Sequence, residues 1–431
     1  MDEKDLKKKI NNIIPGGAHT YSRGDDQFSS NAPAILIKGK GAYSWGSDGK
    51  KYLDYGMGLR AVSIGYANKD IDNAAIKEIK KGNNLTKASM TELLAAEKML
   101  ELFPEMDMIK FAKNGSTVTT AAVKLARAYT GRKYIVRCKD HPFFSYDDWF
   151  IGDTVINRGV PEEISGLTLN FEFNNIDSLK NIFNSHKNEI ACVILEPTTH
   201  IEPKEGFLKE VKEITHKNGA VLIFDEISCS FRVDYAVYHQ YGVVPDLVTV
   251  GKAIANGYAV DALLGKREIM NLGGIYHNQE RVFLISTTFG AGMAGLGALI
   301  ATIDYYKKNN VLKYLWKYSN KFKDEINKVS ESFNLKEYFY FEGSSGRLNY
   351  VTKDENKENS YTFRTLFSQE MIKNAILIPW IAPSFSHKEK ELEKTLVAVE
   401  KTLKVYKNAL ENGIDKYVKP PFIKQVFRKY N

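Results

Sequence analysis

Two residues near the middle of the chain stand where their side chains are costly to place. Asp225 closes the apolar run Ala220-Val221-Leu222-Ile223-Phe224, and Lys252 follows Leu247-Val248-Thr249-Val250-Gly251. A buried ammonium must be paired or lose its proton, and a lysine with a depressed pKa is the nucleophile that condenses with a carbonyl. Alone, Lys252 reads as a strand-end surface residue. Asp225 changes that reading, because a carboxylate at the end of another buried strand can pair with a protonated pyridine nitrogen and keep a pyridoxal ring an effective electron sink.

Such a cofactor needs a cradle for its phosphate, and Asn114-Gly115-Ser116-Thr117 opens an apolar stripe at helical spacing, Val118, Ala122, Leu125, Ala126 and Tyr129. Unpaired N–H groups at a helix start, a permissive glycine and two hydroxyls form an anion site. The alternative is that Ser116 or Thr117 only caps the helix. Beside Asp225 and Lys252 the phosphate reading is favoured.

The elements that must position these residues alternate. Cys192-Val193-Ile194-Leu195 ends at Glu196, residues 207–218 read as a helix closed by Gly219, and two further apolar runs lead to Asp225 and Lys252. Short continuous apolar runs fit buried parallel strands, and strand–helix alternation argues for an α/β domain whose ligands sit beyond the strand carboxyl ends. From about residue 305 the chain is Lys-rich and helical, with an amphipathic helix over 388–409, which predicts a second, smaller domain.

Composition narrows the function classes. The 431 residues are 43% apolar and 26% charged, enough for a large core. Sixty Lys and Arg against 52 Asp and Glu leave a net charge of +8, and the longest basic runs, Lys7-Lys8-Lys9 and Lys80-Lys81, carry no interleaved aromatics. No nucleic-acid or membrane partner is therefore expected. Three cysteines, Cys138, Cys192 and Cys229, show no C-x-x-C spacing, and the eight histidines include no H-E-x-x-H pair, so neither a disulfide framework nor a metal is expected. With no apolar leader and no long apolar run, the chain is expected to be cytoplasmic.

Gly290-Ala291-Gly292-Met293-Ala294-Gly295 matches G-x-G-x-x-G after the strand-like Val282-Phe283-Leu284-Ile285. The dinucleotide fingerprint requires an acid about 20 residues on, and Asp304 comes too soon. A small-residue turn into a packed helix accounts for the glycines. His200 and Glu202 read as loop residues rather than metal ligands, Glu226 as structural, and Cys229 as lacking a base.

With these residues in hand, the chain resembles class III, fold-type I pyridoxal-phosphate enzymes, and among them the glutamate-1-semialdehyde aminomutase type. The motifs are Pro15-Gly16-Gly17, Trp45-x-x-Asp48-Gly49-x-x-Tyr52-x-Asp54, Lys113-Asn114-Gly115-Ser116, Leu125-Ala126-Arg127-Ala128-Tyr129-Thr130-Gly131-Arg132, Glu196-Pro197, Phe224-Asp225-Glu226 and Gly251-Lys252-Ala253, spread over residues 13–406. The resemblance implies a large domain with a mainly parallel sheet, 66–304, and a smaller α/β domain built from residues 1–65 and 305–431. It implies pyridoxal 5'-phosphate held by Lys252 as an internal aldimine, with Lys252 then moving the substrate's α-proton. Asp225 would contact the pyridine nitrogen, Ile227 would pack beneath the ring, and Gly115, Ser116 and Thr117 would hold the phosphate. Thr288 would reach the phosphate of a partner subunit, giving a homodimer with shared sites, and Arg23 would bind a substrate carboxylate.

The departures matter as much. Phe143-Phe144-Ser145 stands where the family has Tyr-His-Gly, so Phe143 can stack on the ring but offers no hydroxyl. The Gly-Asn-Pro after the partner-subunit threonine is replaced around Ala291-Gly292-Met293, and residues 379–387 contain no glutamate. The expected activity is therefore aminotransfer from an amine donor to a carbonyl acceptor through pyridoxamine phosphate. An intramolecular aminomutase, a racemase or decarboxylase, and an inactive binding protein are the alternatives.

Overall fold

A computed structural model describes residues 2–344 and 346–431. The chain divides into two compact units, one of Lys69–Asn309 with Lys429–Asn431, the other of residues up to Asn68 with Asn310–Arg428.

In the unit of residues up to Asn68 with Asn310–Arg428, β1 (Leu36–Lys40), β2 (Tyr43–Gly46) and β3 (Lys51–Asp54) form an antiparallel meander. The other unit carries β4 (Met108–Ala112), β5 (Tyr134–Cys138), β6 (Thr168–Phe171), β7 (Ile190–Leu195), β8 (Val221–Asp225), β9 (Leu247–Val250) and β10 (Asp261–Gly265). The Asn310–Arg428 segment adds a hairpin, β11 (Phe339–Ser344) with β12 (Arg347–Thr352), and β13 (Ile376–Leu377), which pairs with β3 in parallel. Its core gathers Phe322, Phe339, Phe341, Phe367, Leu403 and Tyr406. The amphipathic helix read at 388–409 spans Glu389–Asn412 and buries Leu392, Val399, Leu403 and Tyr406.

The seven strands of the larger unit lie in the order β4-β10-β9-β8-β7-β5-β6. Only β10 runs antiparallel to its neighbours, β4 and β9; the rest pair in parallel. Every residue of β7, β8, β9 and β10 is buried, which is why these strands read as continuous apolar runs rather than alternating ones. Register sets Leu195 opposite Phe224 and Asp225 opposite Thr249, so the acids and the lysine that follow these strands emerge at one edge of the sheet.

Two readings of the sequence change. Residues 282–285 form no strand, and Phe283 is 74% exposed; an apolar run becomes a strand only where a neighbour pairs with it. The glycines after it do serve packing. A Cβ at Gly295 would lie 2.7 Å from Val260 and one at Gly297 2.6 Å from Glu78, within the helix Met293–Asn309. Tyr129, placed by spacing on the apolar face of its helix, is 49% exposed, one residue before that helix ends at Thr130.

Candidate active site

The helix Gly115–Thr130 begins just after β4, and Asn114 caps it: its side-chain oxygen accepts from Thr117 N–H at 2.9 Å and from Thr117 Oγ1 at 3.1 Å. The cap is thus Asn114, not Ser116 or Thr117, because its amide oxygen reaches the third N–H from a non-helical backbone. The N–H groups of Gly115 and Ser116 precede the first intrahelical bond and point out of the helix end. Ser116 is buried, and its hydroxyl accepts from Tyr146 N–H at 3.0 Å. Glycine at 115 leaves room for Ile227, since a Cβ there would lie 2.8 Å from Ile227 Cδ1 and push that side chain aside.

Asp225 is buried at the end of β8. Its Oδ1 accepts from Ile227 N–H at 3.0 Å and from Thr249 Oγ1 at 3.1 Å; among the described residues Oδ2 accepts no hydrogen bond. Burial, and then the nearby Glu196 carboxylate, push the Asp225 carboxyl up to about 7, against the pull of Ile227 N–H, Lys252 and Thr249. A cation presented to Oδ2 would reverse that shift.

Lys252 follows Gly251 with φ +49°, a left-handed conformation that costs a non-glycine residue energy and recurs at functional sites. Its ammonium is half-buried and donates to Ser228 Oγ. Gly251 gives it close support: a Cβ there would lie 1.9 Å from Asp261 Oδ1 and 3.4 Å from Ile227 Cγ2.

The fold thus brings Gly115, Ser116, Asp225, Ile227 and Lys252 to one edge of the sheet. Phe143 lies in the segment between β5 and the short helix Asp148–Ile151, 48% exposed and edge-on to Phe150 at 5.6 Å. Thr288 is exposed on the turn before Met293–Asn309. Arg23 belongs to the other unit, where it is exposed and donates to Gly58 O at 3.2 Å. Glu226 turns away: its carboxylate accepts from Val237 N–H, Tyr238 N–H and Ser230 Oγ. Sequence reading missed Ser228, three residues past Asp225, and Asp261, a lone acid opening the apolar stretch Asp261-Ala262-Leu263-Leu264. That isolated charge was the available signal.

The description of the class-III aminotransferases matches residues 25–338. The chain belongs to the class-III aminotransferase family. It is 30% identical over 417 residues to 3-aminobutyryl-CoA aminotransferase of Cloacimonas acidaminovorans, covering 94% of this chain and 97% of that one. It is also 30% identical over 433 residues to glutamate-1-semialdehyde 2,1-aminomutase of Fusobacterium nucleatum, covering 93% and 96%. Among solved structures, the pyridoxal-phosphate internal aldimine form of FumI from Sphingopyxis sp. MTA144 superimposes with a TM-score of 0.86 at 23% identity, over 97% of this chain and 98% of that one.

This class-III member is therefore a pyridoxal-phosphate-dependent enzyme of fold type I. The residues present fit the cofactor: a helix N-terminus with two outward N–H groups, glycines at 115 and 251 where a Cβ would close the space, and a buried carboxylate with one oxygen left over. Among the described residues no group of three or more His, Cys, Asp or Glu could hold a metal ion, and no helix is long and apolar enough to cross a membrane.

Proposed function

We propose that this enzyme moves an amino group between two molecules, from an amine donor to a carbonyl acceptor, at the edge where β8 and β9 end. The observation that carries the reading is the pairing of Asp225, with its unshared Oδ2, and the strained Lys252 across adjacent strands. When bound, pyridoxal phosphate supplies an electron sink for the carbon that bears the amine. Lys252 Nζ would hold the cofactor and, when free, would move the proton of the carbon that bears the amine. Ser228 Oγ, already bonded to Nζ, restricts where the amine can swing. Asp225 Oδ2 would accept from the pyridine nitrogen, and Ile227 would pack against the ring. Gly115 and Ser116 N–H would hold the phosphate with Thr117 beside them, Phe143 would cover the ring, and Arg23 would bind a substrate carboxylate.

The absence of glutamate from residues 379–387 and the Phe143-Phe144-Ser145 segment support transfer between molecules over rearrangement within one. A homodimer is part of the reading. Exposed Phe289 follows Thr288, and Tyr276 and Phe283 earlier in the same segment are also exposed, apolar surface that a second copy would cover, bringing Thr288 to its phosphate. A cytoplasmic location belongs to the same reading.

The test supplies the holoenzyme with single amine donors and no acceptor. Release of one keto product per site, with loss of the visible cofactor band, is the expected result. Rearrangement of an amino aldehyde without keto product from any donor would establish the aminomutase instead.

A further inference from the structure

Asp261 opens β10 opposite Ala112 of β4, and its carboxylate lies against the Cα of Gly251, the residue directly before Lys252. Its Oδ1 is also 3.7 Å from where a Cβ on Gly115 would stand. The residue is 6% exposed, and among the described residues neither carboxylate oxygen accepts a hydrogen bond. A buried acid without donors is expensive, so it persists only where a charge answers it. Two face it. Lys252 leaves the end of β9, and Lys113, which follows β4, is partly buried with Nζ 3.4 Å from Gly292 O.

We infer that Asp261 is a positioning residue of this site, its carboxylate fixing how tightly Lys252 Nζ holds its proton while Lys113 tempers that hold. The inference rests on the proposed attachment of the cofactor at Lys252. The remaining charges around the pair are Asp225 at the end of β8, which repels Asp261, and Glu196 after β7, which bears on Asp225 in turn. Burial raises the Asp261 carboxyl to about 7, with Lys252 the first charge opposing the rise. Burial lowers Lys113, which Asp261 partly restores. Lys252 and Lys113 are thus the two cations that bear on the Asp261 carboxylate. A negative charge beside Nζ favours its protonated form and a positive charge disfavours it, so the two neighbours act with opposite sign.

The experiment titrates the visible absorption of the cofactor-loaded protein against pH for wild type, Asp261→Asn, Asp261→Glu and Lys113→Met. Borohydride reduction and peptide mapping confirm the site of attachment in each. Asp261→Asn is expected to lower the midpoint by about one pH unit, a tenfold weaker hold on the proton. Asp261→Glu should return toward wild type, and Lys113→Met should raise the midpoint. A wild-type band that resists titration into alkali counts for the inference if Asp261→Asn brings the midpoint into range, and against it otherwise. Coincident midpoints for wild type and Asp261→Asn, or shifts of the same sign at 261 and 113, overturn it. If Asp261→Asn fails to fold, Lys113→Met decides, and an unmoved midpoint there is a refutation. Label at Lys252 with unmoved midpoints refutes this inference alone; no label at Lys252 in wild type removes the attachment and the inference together.

Discussion

Asp225 and Glu226 are consecutive buried carboxylates with opposite partners. Asp225 spends one oxygen on Ile227 N–H and Thr249 Oγ1 and leaves the other open, whereas Glu226 uses both, on Val237 N–H, Tyr238 N–H and Ser230 Oγ. Strand alternation sends the two side chains to opposite sides, so one acid is available for chemistry and the other ties the following segment to β8. The pair separates activity from stability.

Glu226→Gln should destabilise the fold by about 1–3 kcal/mol, because its amide nitrogen faces a backbone N–H that it cannot accept from. Urea unfolding measures the loss. Unchanged stability would contradict the tie assigned to Glu226.

Asp225→Asn keeps an oxygen for Ile227 N–H and Thr249 Oγ1 but removes the charge facing the pyridine nitrogen. Turnover should fall on the order of 10²–10³-fold, the usual scale for losing a preorganised electrostatic group, with folding stability little changed. Steady-state kinetics and thermal melting together check it, and near-normal turnover would remove Asp225 from the site.

Gly251→Ala places a methyl 1.9 Å from Asp261 Oδ1, and Gly115→Ala one 2.8 Å from Ile227 Cδ1. Overpacking of this kind costs about 1–3 kcal/mol and pushes the side chains that flank the cofactor. Both variants should bind pyridoxal phosphate several-fold more weakly by equilibrium dialysis. Wild-type affinity in both would show that the glycines make no room for it.

Stability of the cofactor-free protein should depend on pH. Asp225, Asp261 and Glu226 are each raised by burial to about 7, so between their unfolded values near 4 and about 7 the folded state binds more protons than the unfolded state. Stability therefore falls as pH rises through that window and levels off above it. The urea midpoint should drop between about pH 5 and 7.5; a rise across that range would contradict the burial assigned to these acids.

Much of this was legible in the chain because parallel strands buried on both faces cannot hide their composition: Cys192 to Leu195 and Val221 to Phe224 read as strands without ambiguity. The lysine and the aspartate stood out for the same reason, as charges attached to apolar runs. Val282-Phe283-Leu284-Ile285 has the same look and forms no strand, since pairing depends on neighbours distant in sequence. The cap was read as Ser116 or Thr117, whereas local geometry gives it to Asn114, whose side chain reaches Thr117 N–H. Asp261 was visible as an isolated acid, but its meaning came only from register, which sets it against Gly251 and beside Lys252.

The most direct test of the account is reduction of the pyridoxal-phosphate-loaded protein with borohydride, followed by peptide mass mapping in wild type and Lys252→Ala. The account predicts a phosphopyridoxyl label on the peptide containing Lys252 and none in the variant. A wild-type label on another lysine, or an undiminished label in Lys252→Ala, would contradict it.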